Sequence, residues 1–298
     1  MSRIAVLGSG RAATALGGGL RLAGQPVCGL WGRRREAAEM SARAAGVPAY
    51  ADRAGLADIS ARADVLLVAV SDRAIPVVAQ TLADAGLVTR AHVVVHTSGA
   101  ASAAEALAPL SGRVRGRGTL HLLRAISSGE SAMHELAGGY FGVEGDEQGQ
   151  DVAAGLGRAL GGRVFELRGE GMALYHAAAA MASNYAVALL DVATELAGDA
   201  GVPADLAREA LAELAAGSLA GAARRGTSGG LTGPIRRSDR DTVAKHLRAL
   251  SALPETREIY AALGRRAVAL TRRAGDEDRA RLAEIEALLA TPSEGEER

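Results

Sequence analysis

A strand that runs straight into a glycine turn opens the chain and limits what can be built around it. Arg3-Ile4-Ala5-Val6-Leu7-Gly8-Ser9-Gly10-Arg11-Ala12-Ala13 sets a short apolar run directly before G-x-G-x-x-A, and a helical stretch follows. That order predicts the first strand, turn and helix of a dinucleotide-binding sheet. Gly8 permits the tight turn, Gly10 leaves room for phosphates, and Ala13 is small enough for the helix to pack on the strand. A helix starting near Arg11 aims unpaired N–H groups and its positive dipole end at an anion, so Gly8, Ser9, Gly10, Arg11 and Ala12 are the expected pyrophosphate contacts. With 38 glycines in the chain, the motif alone could be a structural turn; its place after a strand and before a helix points to the cofactor.

The second strand, read over Pro26 to Trp31, bears on which dinucleotide binds. About 20 residues beyond the fingerprint, where an Asp or Glu would hold the ribose hydroxyls of NAD, the chain has Gly32. Arg33, Arg34 and Arg35 follow, and guanidinium forks suit the 2′-phosphate of NADP. Arg33 and Arg34 are the expected 2′-phosphate ligands. The alternative is a solvated basic helix start, with the arginines paired to Glu36 and Glu39. A deazaflavin, whose phosphate the same arginines would accept, is a lesser alternative to NADPH.

Further on, Asp64 to Val70 and Ala91 to Val95 are continuous apolar runs of buried-strand length, ending at Ser71-Asp72 and at His96-Thr97-Ser98-Gly99. Ligands of doubly wound sheets bind beyond the carboxyl ends of strands, which adds Val70, Ser71 and Ser98 to the expected cofactor contacts. Weaker strands are predicted at Gly118 to Leu122, Tyr140 to Glu144 and Arg163 to Leu167. Strand signals then cease. Helices are predicted over Glu170 to Asp199, Pro203 to Arg224, Asp239 to Leu250, Glu255 to Ala274 and Glu277 to Leu289, with a Gly-rich interruption at Gly226 to Ser238 and a frayed end from Pro292 to Arg298. The expected fold class is α/β: a Rossmann doubly wound, mostly parallel sheet over residues 1–168, then an all-α domain over residues 169–298 for substrate binding and dimerisation.

Charge and composition narrow the functions. Lys plus Arg and Asp plus Glu are 34 each, so no net field draws the chain to nucleic acid or an anionic membrane. Arg113, Arg115 and Arg117 lack interleaved aromatics and read as a solvated loop. Cys28 is the only cysteine in the sequence, which suits a reducing cytoplasm, and with a strand at the N-terminus no signal peptide is expected. Met172 to Leu190 is uncharged and of membrane-spanning length, but it is mostly alanine and holds His176, Ser183 and Asn184; a buried helix at the heart of the second domain is expected instead. No metal is expected: His92 and His96 belong to a strand region, and neither H-E-x-x-H nor a cysteine pair is present. A nucleophile elbow and a P-loop are also missing from the sequence.

A dinucleotide domain followed by a helical domain that starts with one long helix resembles the 6-phosphogluconate dehydrogenase-like group, which includes ketopantoate reductase, 3-hydroxyisobutyrate dehydrogenase and pyrroline-5-carboxylate reductase. Tyr175-His176 through Ser183-Asn184-Tyr185, then Leu231-Thr232-Gly233-Pro234-Ile235-Arg236-Arg237-Ser238-Asp239, Thr242-Val243 and His246-Leu247, together with His96 to Gly99, are similar to the Rossmann-like oxidoreductases carrying domain of unknown function number 2520. That resemblance spans nearly the whole chain and implies an NAD(P)-dependent oxidoreductase. The chain departs from the family pattern at His121-Leu122, where H-P is common, and at Arg237-Ser238-Asp239, where R-G-D is common. Both departures lie on the expected substrate side.

Dehydrogenases of the wider group tend to carry a Lys and an Asn on the long helix, one to protonate the atom beside the hydride acceptor and one to orient substrate. The resemblance gives His176 the place of the Lys. His176, Ala180 and Asn184 are four apart, hence on one broad helix face, and an ordinary imidazole donates a proton near neutral pH. Alternatively, His176 packs on the alanine-rich helix and bonds a backbone carbonyl. Ser183 lies beside this expected catalytic pair of His176 and Asn184 as a substrate contact. Arg237, with Asp239, is expected to hold a substrate carboxylate; the alternative is that Arg237 pairs with Asp239 and caps the next helix. The expectation is an NADPH-dependent reductase of a small carbonyl or imine, a 2-oxo acid such as ketopantoate among the candidates. A nucleotide-binding regulatory protein that has lost catalysis is the rival. So few aromatics in the helical domain, and a long uncharged helix hard to cover within it, further predict a homodimer joined through it, by analogy with the wider group.

Overall fold

The computed structural model describes residues 1–126, 131–275 and 278–290, so the expected fraying from Pro292 to Arg298 and the helix start at Glu277 lie outside the described residues. Two compact units divide the chain, Met1–Asn184 and Tyr185–Arg298.

Eight strands make the first unit's sheet: β1 (Ile4–Leu7), β2 (Val27–Gly32), β3 (Ala49–Ala51), β4 (Val65–Val68), β5 (Val93–His96), β6 (Gly116–Leu122), β7 (Tyr140–Gly145) and β8 (Arg163–Glu166). Their order is β3-β2-β1-β4-β5-β6-β7-β8. Every pairing is parallel except β6 with β7. The crossing from β3 back to β4 beside β1 is the switch point at which such sheets open a crevice.

Continuous apolar runs form β1, β4 and β5 because both faces of the sheet are covered. Alternate side chains enter two cores. Ile4, Val6, Val65, Leu67, Val93 and Val95 face the helices Arg11–Leu22 and Glu147–Ala159. Ala5, Leu7, Leu66, Val68 and Val94 face the helices Asp52–Arg62 and Ile75–Asp84. Each such Val or Leu contributes about 1.5 to 3 kcal/mol relative to exposure. No strand was expected at β3, which is only three residues long and is held by Leu30, Trp31 and Gly32 of β2. Next to it, Asp52 takes a left-handed φ of 58° and caps the following helix, its carboxylate accepting from the Ala54 and Gly55 N–H groups at 3.0 and 3.1 Å.

One long helix was expected over Glu170 to Asp199; the structure has two, Met172–Ala182 and Asn184–Asp199, broken at Ser183 (φ −119°, ψ −76°). The first helix stays with the sheet unit, through the Tyr175–His121 hydrogen bond among others, so the compact unit runs to Asn184 and not to Arg168. The expectation of a buried helix is also corrected. Met172 is the only buried residue of the first segment, and Asn184–Asp199 has none.

In the second unit the helices are Asn184–Asp199, Ala204–Gly230, Arg240–Ala249, Pro254–Ala274 and Arg279–Ala290. Gly226 (φ 76°, ψ 159°) kinks the second of these where the Gly-rich interruption was expected to begin. The core is small: Ile235, Val243, Leu247, Val268, Leu282, Ile285 and Leu289. Val187, Leu206, Leu214 and Leu219 are each more than half exposed.

Candidate functional site

At the carboxyl ends of β1, β2 and β4 lies a cavity of about 960 Å³. Gly8, Ser9, Gly10, Arg11 and Ala12 form one wall, Trp31 to Arg34 a second, and Ala69, Val70 and Ser71 a third; Arg73 and Arg124 also reach it. The expected contacts at residues 8–12, 33, 34, 70 and 71 thus share one cavity.

Local packing explains the fingerprint. Gly8 has φ +148°, and a Cβ there would stand 2.1 Å from the Ala69 carbonyl oxygen. A Cβ at Gly10 would meet nothing within 4 Å, so the turn is open on the side where the Arg11–Leu22 helix begins. No side chain caps that helix, which leaves its first N–H groups free to hold an anion. Gly32 is boxed in: a Cβ would be 2.8 Å from Ser9 Oγ, so a carboxylate side chain has no room at the end of β2. Arg35 is drawn away to Asp52 at 2.9 Å. Arg33 and Arg34 stay exposed in the cavity wall and make no ion pair among the described residues. Among the described residues, five arginines and no carboxylate therefore line the cavity, a donor set that fits a pyrophosphate and a third phosphate. Sequence reading missed Arg73 and Arg124, because neither belongs to a recognisable motif.

Ser98 does not line the cavity. It is buried, its N–H donating to His96 Nδ1 at 3.1 Å and its Oγ accepting from the Ala100 N–H at 3.1 Å. With Nδ1 so engaged as acceptor, His96 carries its proton on Nε2 and donates to Thr119 Oγ1 at 3.0 Å. The Thr119 hydroxyl donates in turn to Glu144 Oε2 at 3.1 Å, which also accepts from the Ala103 N–H at 2.7 Å. Burial pushes the His96 pKa down to about 4, so this chain runs through a neutral imidazole that fixes the loop after β5.

A second histidine lies at the carboxyl end of β6. His121 Nδ1 is 2.7 Å from Tyr175 Oη, with the rings edge-on at a centroid distance of 5.4 Å. The ring of His176 is 6.1 Å from that of His121. Burial, and secondarily the neighbouring His176, push the His121 pKa down to about 4. Burial pushes the Tyr175 hydroxyl up to about 12. His176 has a buried Nδ1 without a hydrogen-bond partner in the structure. The backbone-carbonyl bond of the structural alternative is therefore not made through Nδ1. A histidine one residue from a strand's carboxyl end was the signal that would have found His121.

Ser183 and Asn184 are exposed, and the break at Ser183 takes Asn184 off the helix that carries His176. The eight-residue spacing from His176 to Asn184, two steps of four, therefore no longer places them on one helix face. Asp239 caps the Arg240–Ala249 helix, accepting from the Thr242 N–H at 3.1 Å and its hydroxyl at 2.7 Å, and these bonds lower its pKa. Arg237 is exposed. Between them, Ser238 takes φ 53° with a buried, unpartnered Oγ, at the point where the sequence departs from R-G-D. His246 faces the neighbouring helix, Nδ1 lying 2.9 Å from Tyr260 Oη.

Residues 2–122 match the Rossmann-like domain, and residues 139–267 match domain of unknown function 2520. No curated protein matches the sequence. Among solved structures, a Thermotoga maritima protein is 22% identical with a TM-score of 0.72, covering 91% of this chain and 99% of its own. A Bacteroides fragilis protein assigned as an NADP oxidoreductase is 20% identical, TM-score 0.68, covering 89% and 97%. The Plasmodium falciparum pyrroline carboxylate reductase, solved with NADP bound, is 10% identical, TM-score 0.56, covering 97% and 98%. At these identities the likeness is one of fold.

Proposed function

We propose that this chain, a member of the family that joins a Rossmann-like domain to domain of unknown function 2520, is an NADPH-dependent oxidoreductase reducing a small carbonyl or imine compound. One observation carries the reading: the cavity at the G-x-G-x-x-A turn has five arginines, no carboxylate, and a glycine with no room for a side chain where an acidic ribose ligand would stand. The Plasmodium reductase of similar fold, which holds NADP, supports the same choice.

The bound cofactor supplies the hydride. The chain's own work is then to hold and protonate the acceptor. We assign the proton to His176, Nδ1 of which is buried without a partner; orientation of the acceptor by Asn184 rests on the family resemblance alone, since the break at Ser183 removes the shared helix face. Arg237 would clamp a 2-oxo acid through its carboxylate; Asp239, bound at both oxygens by Thr242, would act only by holding that loop. The exposed apolar side chains Val187, Leu206, Leu214 and Leu219 support a homodimer through the helical unit, and the single cysteine, Cys28, suits a protein acting in the cytoplasm.

Assaying a panel of 2-oxo acids, ketopantoate included, and cyclic imines with NADPH and with NADH tests this. Turnover of at least one class with NADPH, and far less with NADH, is the expected result. Tight NADPH binding with no turnover across the panel would favour a non-catalytic nucleotide-binding protein.

A further inference from the structure

His121 and Tyr175 have no part in the reading above, yet they form a short hydrogen bond at the edge of the sheet where ligands bind. β6 is parallel to β5, so His121 lies at the same carboxyl edge as the His96–Gly99 loop, and Arg124, three residues on, lines the cofactor cavity. We propose that His121 donates a hydrogen bond from Nε2 to the oxygen or nitrogen of the substrate's C=O or C=N group, and that Tyr175 is a positioning residue that fixes the tautomer required. This rests on the reductase reading.

Three observations converge. Burial keeps the Tyr175 hydroxyl protonated, so it can donate to Nδ1 of a neutral His121, and in that arrangement the ring proton sits on Nε2. That nitrogen takes no hydrogen bond among the described residues. Gly99 then keeps the same ring edge clear, because a Cβ there would stand 2.7 Å from Nε2. Among the titratable groups, His176 presses His121 towards neutrality by its charge, while Asp72 acts weakly in the opposite sense. A neutral imidazole polarises a carbonyl without giving up its proton. In the reduction the carbon receives the hydride with its electron pair, the C=O or C=N π bond breaks, and the heteroatom takes its proton from His176. His121 ends the step in the form in which it began.

The test combines nitrogen-15 NMR of the histidine side chains with kinetics on the full chain. Wild-type His121 should carry its proton on Nε2 at pH 7, and Tyr175→Phe should convert this to a mixture of tautomers. His121→Leu should lower turnover about 100-fold with NADPH affinity by fluorescence titration unchanged, the usual effect of losing one donor to the developing charge. His121→Gln, which retains an N–H, should recover part of that loss. A proton on Nδ1 in the wild type, or wild-type turnover in His121→Leu, would overturn the assignment while leaving the reductase reading intact. If His121→Leu fails to fold, equal turnover of His121→Gln and His121→Glu, the latter with no N–H, would overturn it. If the wild type binds NADPH but reduces no compound of the panel, the reductase reading itself falls.

Discussion

The sheet unit and the helical unit solve the problem of burial differently. In the first, every residue of β1, β4 and β5 is buried, and helices on both faces provide the cover from the same chain. In the second, a cluster of seven buried apolar side chains forms the core, while Val187, Leu214 and Leu219 stand 68%, 65% and 62% exposed on the helices Asn184–Asp199 and Ala204–Gly230. A parallel sheet closes its own cores; long alanine-rich helices with few aromatics leave apolar side chains exposed, the surface that the proposed homodimer would cover.

The contrast can be broken most sharply inside the fingerprint. Gly8→Val forces a side chain into the Ala69 carbonyl at a left-handed φ, and should cost the sheet unit about 3 kcal/mol or more in urea unfolding. Gly10→Ala, with open space around it, should change stability by no more than about 0.5 kcal/mol while weakening NADPH. Equal destabilisation by both would mean that the turn is not packed as described.

Acid should also act mainly on the sheet unit. His96 is fully buried and neutral, its folded pKa of about 4 lying below the ordinary 6.5. The unfolded chain binds the proton first, so the stability from neutral His96 is complete above about pH 6.5 and is lost as pH falls towards 4, about 3 kcal/mol in all. In His96→Asn, urea unfolding from pH 7 to 4 should lose much of that slope. An unaltered slope would place the sensitivity elsewhere.

For the helical unit, Val187→Lys with Leu214→Lys should convert a dimer to a monomer in light scattering without moving the fold signal of the sheet. A wild type that is monomeric at micromolar concentration would contradict the proposed cover. The smallest effects belong to the loop before Arg240. Asp239→Ala should cost about 1 kcal/mol by removing a cap, and Ser238→Gly should add about 1 kcal/mol by relieving a left-handed φ and an unpaired hydroxyl; thermal unfolding measures both.

How much was legible follows the same division. The apolar runs of β1, β4 and β5 and the glycine fingerprint are local patterns, and the structure keeps them in place. β3 escaped because three residues carry no periodicity. The break at Ser183 escaped because alanine on both sides favours helix, and a single serine does not signal a boundary. His121 and Tyr175 are 54 residues apart, so only strand order could bring them together. Arg73 and Arg124 reach the cavity by the same long-range route.

Most direct for the central claim is titration calorimetry of NADPH and NADH against the wild type and against Arg33→Ser with Arg34→Ser. Each charge-assisted bond to the 2′-phosphate is worth about 1.5 to 3 kcal/mol, so the double variant should bind NADPH at least about 100-fold more weakly, with NADH little altered. Unchanged NADPH affinity in that variant would contradict the 2′-phosphate assignment and, with it, the NADPH-dependent reading of this cavity.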